Sequence, residues 1–245
     1  MLAALYPKGK FVRIDRKVLI VGGSSGIGLN LSSILLDEGF SITIASRSVE
    51  RLNKAKEALN QNVSIEVVDA SDEKSVMELA NRVGEIDHLV VTIKPDHLTN
   101  EFSLSDTAEV RNAFDGKFWG QYYLARHCLS KIKAGGSITL TSGIASRRGY
   151  RGFSGTAAIN GAIESFVASV AGEISPIRIN AVCPGFIESK ENDVKRYSKV
   201  QELGSRIPLN RLGRQREVSE AYLYLMNNTY STGTTIVVDG GELSG

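Results

Sequence analysis

Short apolar runs rich in β-branched residues alternate along the chain with longer stretches whose apolar positions recur at helical spacing. The runs fall at 18–21, 42–45, 63–68, 88–93, 137–141, 177–182 and 235–238, and the helical stretches at 27–38, 50–59, 72–83, 106–133, 157–173 and 218–226. Strand, helix, strand repetition is the mark of parallel βαβ units. Runs such as VLIV and HLVV are apolar without alternation, as strands are when helices cover both faces of a sheet. The pattern therefore predicts an α/β fold in one domain spanning 1–245, a doubly wound parallel sheet of about seven strands. No second core, linker or repeat interrupts it.

Two stretches fall outside this rhythm. Residues 1–16 precede the first run as an N-terminal extension. Residues 188–199, ESKENDVKRYSK, are charged around the whole helical wheel and too polar to lie on the sheet. They follow the sixth strand, beyond whose carboxyl end the ligands of such sheets bind, so the region of about 188–214 is read as a substrate lid, with a solvated surface helix as the alternative.

Composition narrows the partners. Lys and Arg number 29 against 27 Asp and Glu, a net charge of +2 with no long run of one sign, so charge points to neither nucleic acid nor membrane. At 42% hydrophobic and 23% charged the chain can bury a sizeable core. Cys128 and Cys183 are far apart and form no ligand pattern, which argues against a disulfide framework and against a metal site. The apolar start is five residues long before Pro7, Lys8 and Lys10, and no stretch approaches the ~20 apolar residues of a membrane span; the expectation is a cytoplasmic protein.

The strongest chemical signal follows the first strand. GGSSGIG, Gly22 to Gly28, runs directly into a helical stretch. Such a loop turns sharply at glycines, brings its backbone close to a pyrophosphate, and offers the N–H groups and dipole of the next helix to the negative charge. Gly22, Ser24, Ser25, Gly26, Ile27 and Gly28 are the expected phosphate cradle of a Rossmann-type fold.

The spacing G-x-x-x-G-x-G at Gly22, Gly26 and Gly28 resembles that of the short-chain dehydrogenase/reductase family, and other segments agree in order. NAVCPGFIES from Asn180 is similar to the segment that lines the nicotinamide in that family, RLGRQREVSEAYLYLM to its penultimate helix, VVDGG from Val237 to its last strand, and VVDASD to the acidic turn facing the adenine. The resemblance covers Lys17 to Gly241. It implies that Asp69 and Ala70 meet the adenine, that Thr92 and Ile93 flank the cofactor, and that Pro184, Gly185, Ile187 and Ser189 border the nicotinamide. It also implies a homodimer or homotetramer acting on a small molecule. Ser46 stands where an NAD-binding member presents a carboxylate, and Arg47 and Ser48 follow it, a set that suits a 2′-phosphate and selects NADP(H).

The resemblance breaks at the proton-handling residues. The family uses a Tyr, a Lys one helical turn later, a Ser at the end of the fifth strand and an Asn in the fourth helix. Here the corresponding positions hold Thr156, Asn160, Gly143 with Ser142 adjacent, and Lys117. Val90 to Lys94 replaces the family's NNAG, and Val21 the Thr before the first glycine. A Thr hydroxyl does not ionise usefully near neutrality, and Asn carries no charge to tune a neighbour. Candidate substitutes are Tyr150, Lys117 and His97 as acids or tuning groups, with Ser142, Ser154 and Thr156 as hydrogen-bond donors to a substrate carbonyl. Arg147, Arg148 and Arg151 have no acid among them in sequence, a pattern of either an anionic substrate or solvated loop arginines. Trp119, Tyr122 and Tyr123 read as packing or subunit contact. Two functions stay open: an NADP(H)-dependent oxidoreductase on a small carbonyl or alcohol, and a cofactor-binding protein without redox turnover, such as a sensor, a partner-binding protein, an isomerase or a dehydratase.

Overall fold

The computed structural model describes residues 16–94, 100–188 and 204–244. Seven strands form one wholly parallel sheet: β1 Lys17–Val21, β2 Ser41–Ser46, β3 Val63–Val67, β4 Ile86–Val91, β5 Ile132–Thr141, β6 Arg178–Pro184 and β7 Thr235–Val238, in the order β3-β2-β1-β4-β5-β6-β7. The chain winds outward from β1 to β3, then crosses back so that β4 pairs with β1. The carboxyl ends of β1 and β4 therefore flank the crevice where such sheets take their ligands.

The continuous apolar runs are explained by this layering. In β1, Leu19 and Val21 point into one core with Leu89, Val91, Leu124, Ile138 and Ile163, while Val18 and Ile20 point into the other with Leu31, Leu35, Ile44, Leu52 and Tyr222. Helices α1 Gly26–Asp37, α2 Val49–Ala58 and a late helix, Gln215–Asn227, cover the second face; α3 Glu73–Arg82 and three later helices cover the first.

The single helix predicted over 106–133 is broken. It becomes α4 Thr107–Phe114, a π-helical turn Asp115–Trp119, α5 Gly120–Cys128 and a short 3-10 turn, and β5 begins at Ile132. Ala113, Lys117, Gly120, Gln121, Leu124 and Cys128 are buried at helical spacing, so the apolar period passes through the π turn with Lys117 in a core position. The strand starts early because Ile132 pairs with Ile86 before a register shift lets His88 pair with Ser137. Beyond lie α6 Ser154–Val170 and α7 Gln215–Asn227.

The expected lid region lies outside the described residues except for Glu188 and 204–214. Its two ends meet in a parallel bridge between Ile187 and Gly213, where Gly213 N–H donates to the Phe186 carbonyl at 2.9 Å and Glu188 N–H to the Gly213 carbonyl at 2.9 Å. Among the described residues no helix is long and apolar enough to cross a membrane, and no three His, Cys, Asp or Glu side chains gather as a metal site. Both cysteines are free and buried.

Candidate active site

At the crevice the glycines act by contact as well as by turn. Gly22 has φ +91 and its N–H donates to the Ala45 carbonyl at 2.8 Å, tying the loop to β2. A Cβ on Gly22 would stand 2.7 Å from Thr92 Oγ1, and one on Gly28 would stand 2.5 Å from both that oxygen and the Gly22 carbonyl. Loop and first helical turn are thus pressed against the end of β4. A Cβ on Gly26, by contrast, would meet no described atom within 4 Å. Ser25 caps α1 without a side-chain bond, and the first turn holds no acid. The early N–H groups of α1 remain open to an anion.

Next to this cradle, Arg47 is exposed and pairs with no other described residue. Ser48 Oγ accepts from Arg51 N–H at 3.2 Å as the cap of α2, which leaves its own proton to donate. Ser46 is half-buried, its hydroxyl 3.5 Å from the Ser48 carbonyl. Asp69 accepts from Ser71 N–H at 3.0 Å and Ser71 Oγ at 2.6 Å, fixing the turn after β3, while Ala70 is packed against Gly120. Thr92 N–H donates to the Val21 carbonyl at 2.8 Å, and Ile93 packs onto the core beside it. Pro184 ends β6, Gly185 N–H donates to Val238 at 2.9 Å, and a Cβ on Gly185 would lie 2.8 Å from Asp239 Cα. These residues all stand at the carboxyl ends of the strands. Ser189 and His97 lie outside the described residues.

Lys117, Asn160 and the backbone of Ser142 and Gly143 form a unit that the sequence did not disclose. Lys117, 3% exposed, donates from Nζ to the Asn160 Oδ1 at 2.6 Å and to the Ser142 carbonyl at 2.9 Å. Asn160 Nδ2 in turn donates to the Gly143 carbonyl at 3.1 Å, and a Cβ on Gly143 would fall 2.9 Å from that nitrogen. The amide of Asn160 therefore occupies the level at which a side chain at 143 would project. Burial pushes the Lys117 ammonium down to about 7, a drop offset in part by Cys183 and Glu164.

Ser142 turns away from this unit. Its hydroxyl donates to Glu164 Oε1 at 2.9 Å, as does that of Ser146 at 2.7 Å, and Arg147 Nε donates to Oε2 at 2.9 Å. Glu164 escaped the sequence reading, although 156, 160 and 164 share one face of α6 at successive turns. Thr156 is half-buried on the first turn of that helix. Tyr150 donates its phenol proton to Glu242 at 3.1 Å; burial and this carboxylate together push its pKa up, the wrong direction for an acid working near neutrality.

The loop arginines need correcting. Each meets an acid brought from afar in sequence: Arg147 meets Glu164 at 2.9 Å, Arg148 meets Glu242 at 3.7 Å, and Arg151 meets Glu101 at 2.5 Å. The case for an anionic substrate loses its three guanidinium groups. Trp119, Tyr122 and Tyr123 join Phe118 and Phe166 in one aromatic cluster between α5 and α6, with Trp119 stacked on Tyr123 at 5.7 Å.

Comparison with known proteins is consistent over residues 21–242. A family profile described as enoyl-(acyl carrier protein) reductase matches residues 21–242. The 3-oxoacyl-[acyl-carrier-protein] reductase of Mus musculus is 29% identical over 237 residues, which is 93% of this chain and 98% of that protein. The crystal structure of a small-chain dehydrogenase in complex with NADPH superposes with a TM-score of 0.82 at 33% identity, covering 94% of this chain and all of the other. A short-chain oxidoreductase from Pseudomonas aeruginosa PAO1, described as containing an atypical catalytic center, superposes at 0.84 with 26% identity, covering 92% of this chain and 96% of the other.

Proposed function

Because the chain belongs to the short-chain dehydrogenase/reductase family, we propose that it is an NADP(H)-dependent oxidoreductase interconverting a small carbonyl compound and its alcohol with an altered proton-handling set. The observation that carries the reading is the pairing of an open cradle with an unclaimed guanidinium: Gly22 and Gly28 seated against Thr92, Gly26 open, and Arg47 exposed at the end of β2 with no carboxylate at position 46. The first turn of α1 would hold the pyrophosphate, Arg47 and Ser48 the 2′-phosphate, and Pro184 to Ile187 the nicotinamide edge. Bound there, the cofactor supplies the hydride.

The chain's own residues explain how the site differs from its family. The family places Asn on the fourth helix and Lys on the fifth; Lys117 and Asn160 stand in each other's positions and touch at 2.6 Å. The positive charge stays at the site but moves inward, behind an amide. A second reading, a cofactor-binding protein without turnover, draws on one observation: the Tyr150 proton is committed to Glu242 and Thr156 cannot replace it.

Calorimetric titration of NADPH and NADH into the protein and into Arg47→Ala tests the assignment. NADPH is expected to bind about 10- to 150-fold more tightly than NADH, the worth of one charge-assisted contact, and Arg47→Ala to erase the difference. Equal affinities in the parent protein would overturn the cofactor choice. Tight NADPH binding with no oxidation by any carbonyl compound would favour the second reading.

A further inference from the structure

Side chains as well as the ladder join the carboxyl ends of β1, β4 and β5. Thr141, the last residue of β5, has its backbone clasped by buried Gln121, whose Oε1 accepts the Thr141 N–H at 2.7 Å and whose Nε2 donates to the Thr141 carbonyl at 3.0 Å. The Thr141 hydroxyl lies 2.5 Å from the Val91 carbonyl and 2.5 Å from the phenol of Tyr222, which is fully buried on α7. A hydroxyl has one proton to give, and a carbonyl can only accept. The Thr141 proton therefore goes to Val91, and Tyr222 donates to Thr141. Burial pushes the Tyr222 phenol up, so it keeps that proton to give.

The residue after Val91 carries the path onward. Thr92 donates to the Val21 carbonyl from its N–H at 2.8 Å and from Oγ1 at 3.3 Å. Gly22 follows Val21, and a Cβ on Gly22 or Gly28 would stand 2.7 or 2.5 Å from Thr92 Oγ1. Thr92 has no room to move without carrying the glycine loop with it. Val21 and Val91 offer no side-chain hydrogen bond of their own, and the hydroxyls of Thr92 and Thr141 hold their carbonyls.

Resting on the nucleotide-binding part of the reading above, we propose that Thr141, with Tyr222 behind it, is a positioning residue for the cofactor: it fixes the end of β4 and, through Thr92, the glycine loop on which the pyrophosphate would lie. Neither side chain touches the cofactor. Loss of the Thr141 hydroxyl takes from the Val91 carbonyl its side-chain donor and leaves the end of β4 free to shift under the loop. The pyrophosphate is common to NADPH and NADH, so such a shift weakens both alike. Loss of Arg47 differs, since it bears on the 2′-phosphate alone. Loss of the Tyr222 hydroxyl leaves Thr141 its bond to Val91 but removes the donor that polarises and holds it, a smaller effect that passes through Thr141.

Calorimetric titration of both nucleotides into the intact protein, well below its thermal transition, tests this. Thr141→Val is expected to weaken NADPH and NADH each by about 10-fold with their ratio unchanged, and Thr141→Ser, which keeps the hydroxyl, to bind within about twofold of the parent. Tyr222→Phe is expected to weaken both by about threefold on its own and to add nothing to Thr141→Val when the two are combined. The combined variant leaves no buried phenol unpaired, so it carries the same 10-fold expectation if Thr141→Val alone does not fold. A pair that served the fold only would lower the urea midpoint and leave the affinities of the folded protein unchanged. That result, losses that add in the combined variant, or Thr141→Ser as weak as Thr141→Val would overturn the proposal and leave the NADP(H) assignment standing. Equal affinities for NADPH and NADH in the parent would overturn the cofactor choice alone, and failure of either nucleotide to bind would overturn both.

Discussion

Among the described residues the side chains of two cations, an arginine and a lysine, are buried at opposite ends of the sheet. Arg178 begins β6, 6% exposed, and donates from Nη1 to the Leu225 carbonyl at 2.6 Å and the Ser231 carbonyl at 3.3 Å, and from Nη2 to the Met226 carbonyl at 2.9 Å. It caps the carboxyl end of α7, where backbone carbonyls and the helix dipole welcome positive charge. Lys117, at the other end, has one backbone carbonyl, one amide oxygen and no helix end, and burial lowers its pKa to about 7. The comparison separates a guanidinium held by three backbone carbonyls, with only its Nε unpartnered, from an ammonium held by one carbonyl and one side-chain amide at the carboxyl ends of the strands.

Breaking the first should cost most. Arg178→Met takes the donor from the Leu225 and Met226 carbonyls, while the Ser231 carbonyl keeps Asn180 Nδ2, and is expected to lower stability by about 2–5 kcal/mol, read as a fall in the urea midpoint with an unchanged slope. His88 lies on the same end, its Nδ1 2.8 Å from Ser137 Oγ. Burial and the nearby Arg16 hold its pKa down at about 4, with Arg178 adding to the effect and Asp87 opposing it. Its folded value lies below its unfolded one, so the stability it allows is full above about 6.5 and is lost as the pH falls toward about 4. The loss is roughly 3 kcal/mol, and His88→Asn should flatten the pH dependence of the urea midpoint across that window.

At the carboxyl end, reversing the exchange sharpens the contrast. Lys117→Asn, Asn160→Lys and Thr156→Tyr made together are expected to raise ketone reduction by about 100-fold, measured with NADPH and tetralone. Asn160→Lys with Lys117 retained would set two ammonium groups in contact and should gain nothing. Lys117→Met is expected to change stability by no more than about 1 kcal/mol near neutral pH, since the two lost hydrogen bonds are offset by the relief of burying an ammonium. The folded Lys117 value, about 7, lies below the ordinary lysine range, so the parent should gain on the variant as the pH rises from about 7 toward 10.

Much of this was legible in the residues. The strands and the glycine loop carry local signals, periodicity and φ freedom, that tertiary structure leaves in place. Lys117 and Asn160 each stood out as a departure, yet their contact joins residues 43 apart and no local pattern encodes it. The π turn was hidden because its buried positions keep the apolar period of the flanking helices. The arginine cluster stayed open between two readings for the same reason: its acids, Glu101, Glu164 and Glu242, are neighbours only after folding.

The bridge between Ile187 and Gly213 has a bearing on how such a protein can diverge. It ties the end of β6 to the approach of α7, and Ile207, which is buried, and Leu209, whose N–H donates to the Gly240 carbonyl at 3.2 Å, add further ties ahead of it. Doubling the length of a closed excursion costs only about 0.6 kcal/mol of closure entropy. Ser219 on α7 donates to the Ile27 carbonyl of α1, so the ties at the base of α7 also hold the helix that follows the glycine loop, and a change of length between them leaves that packing in place.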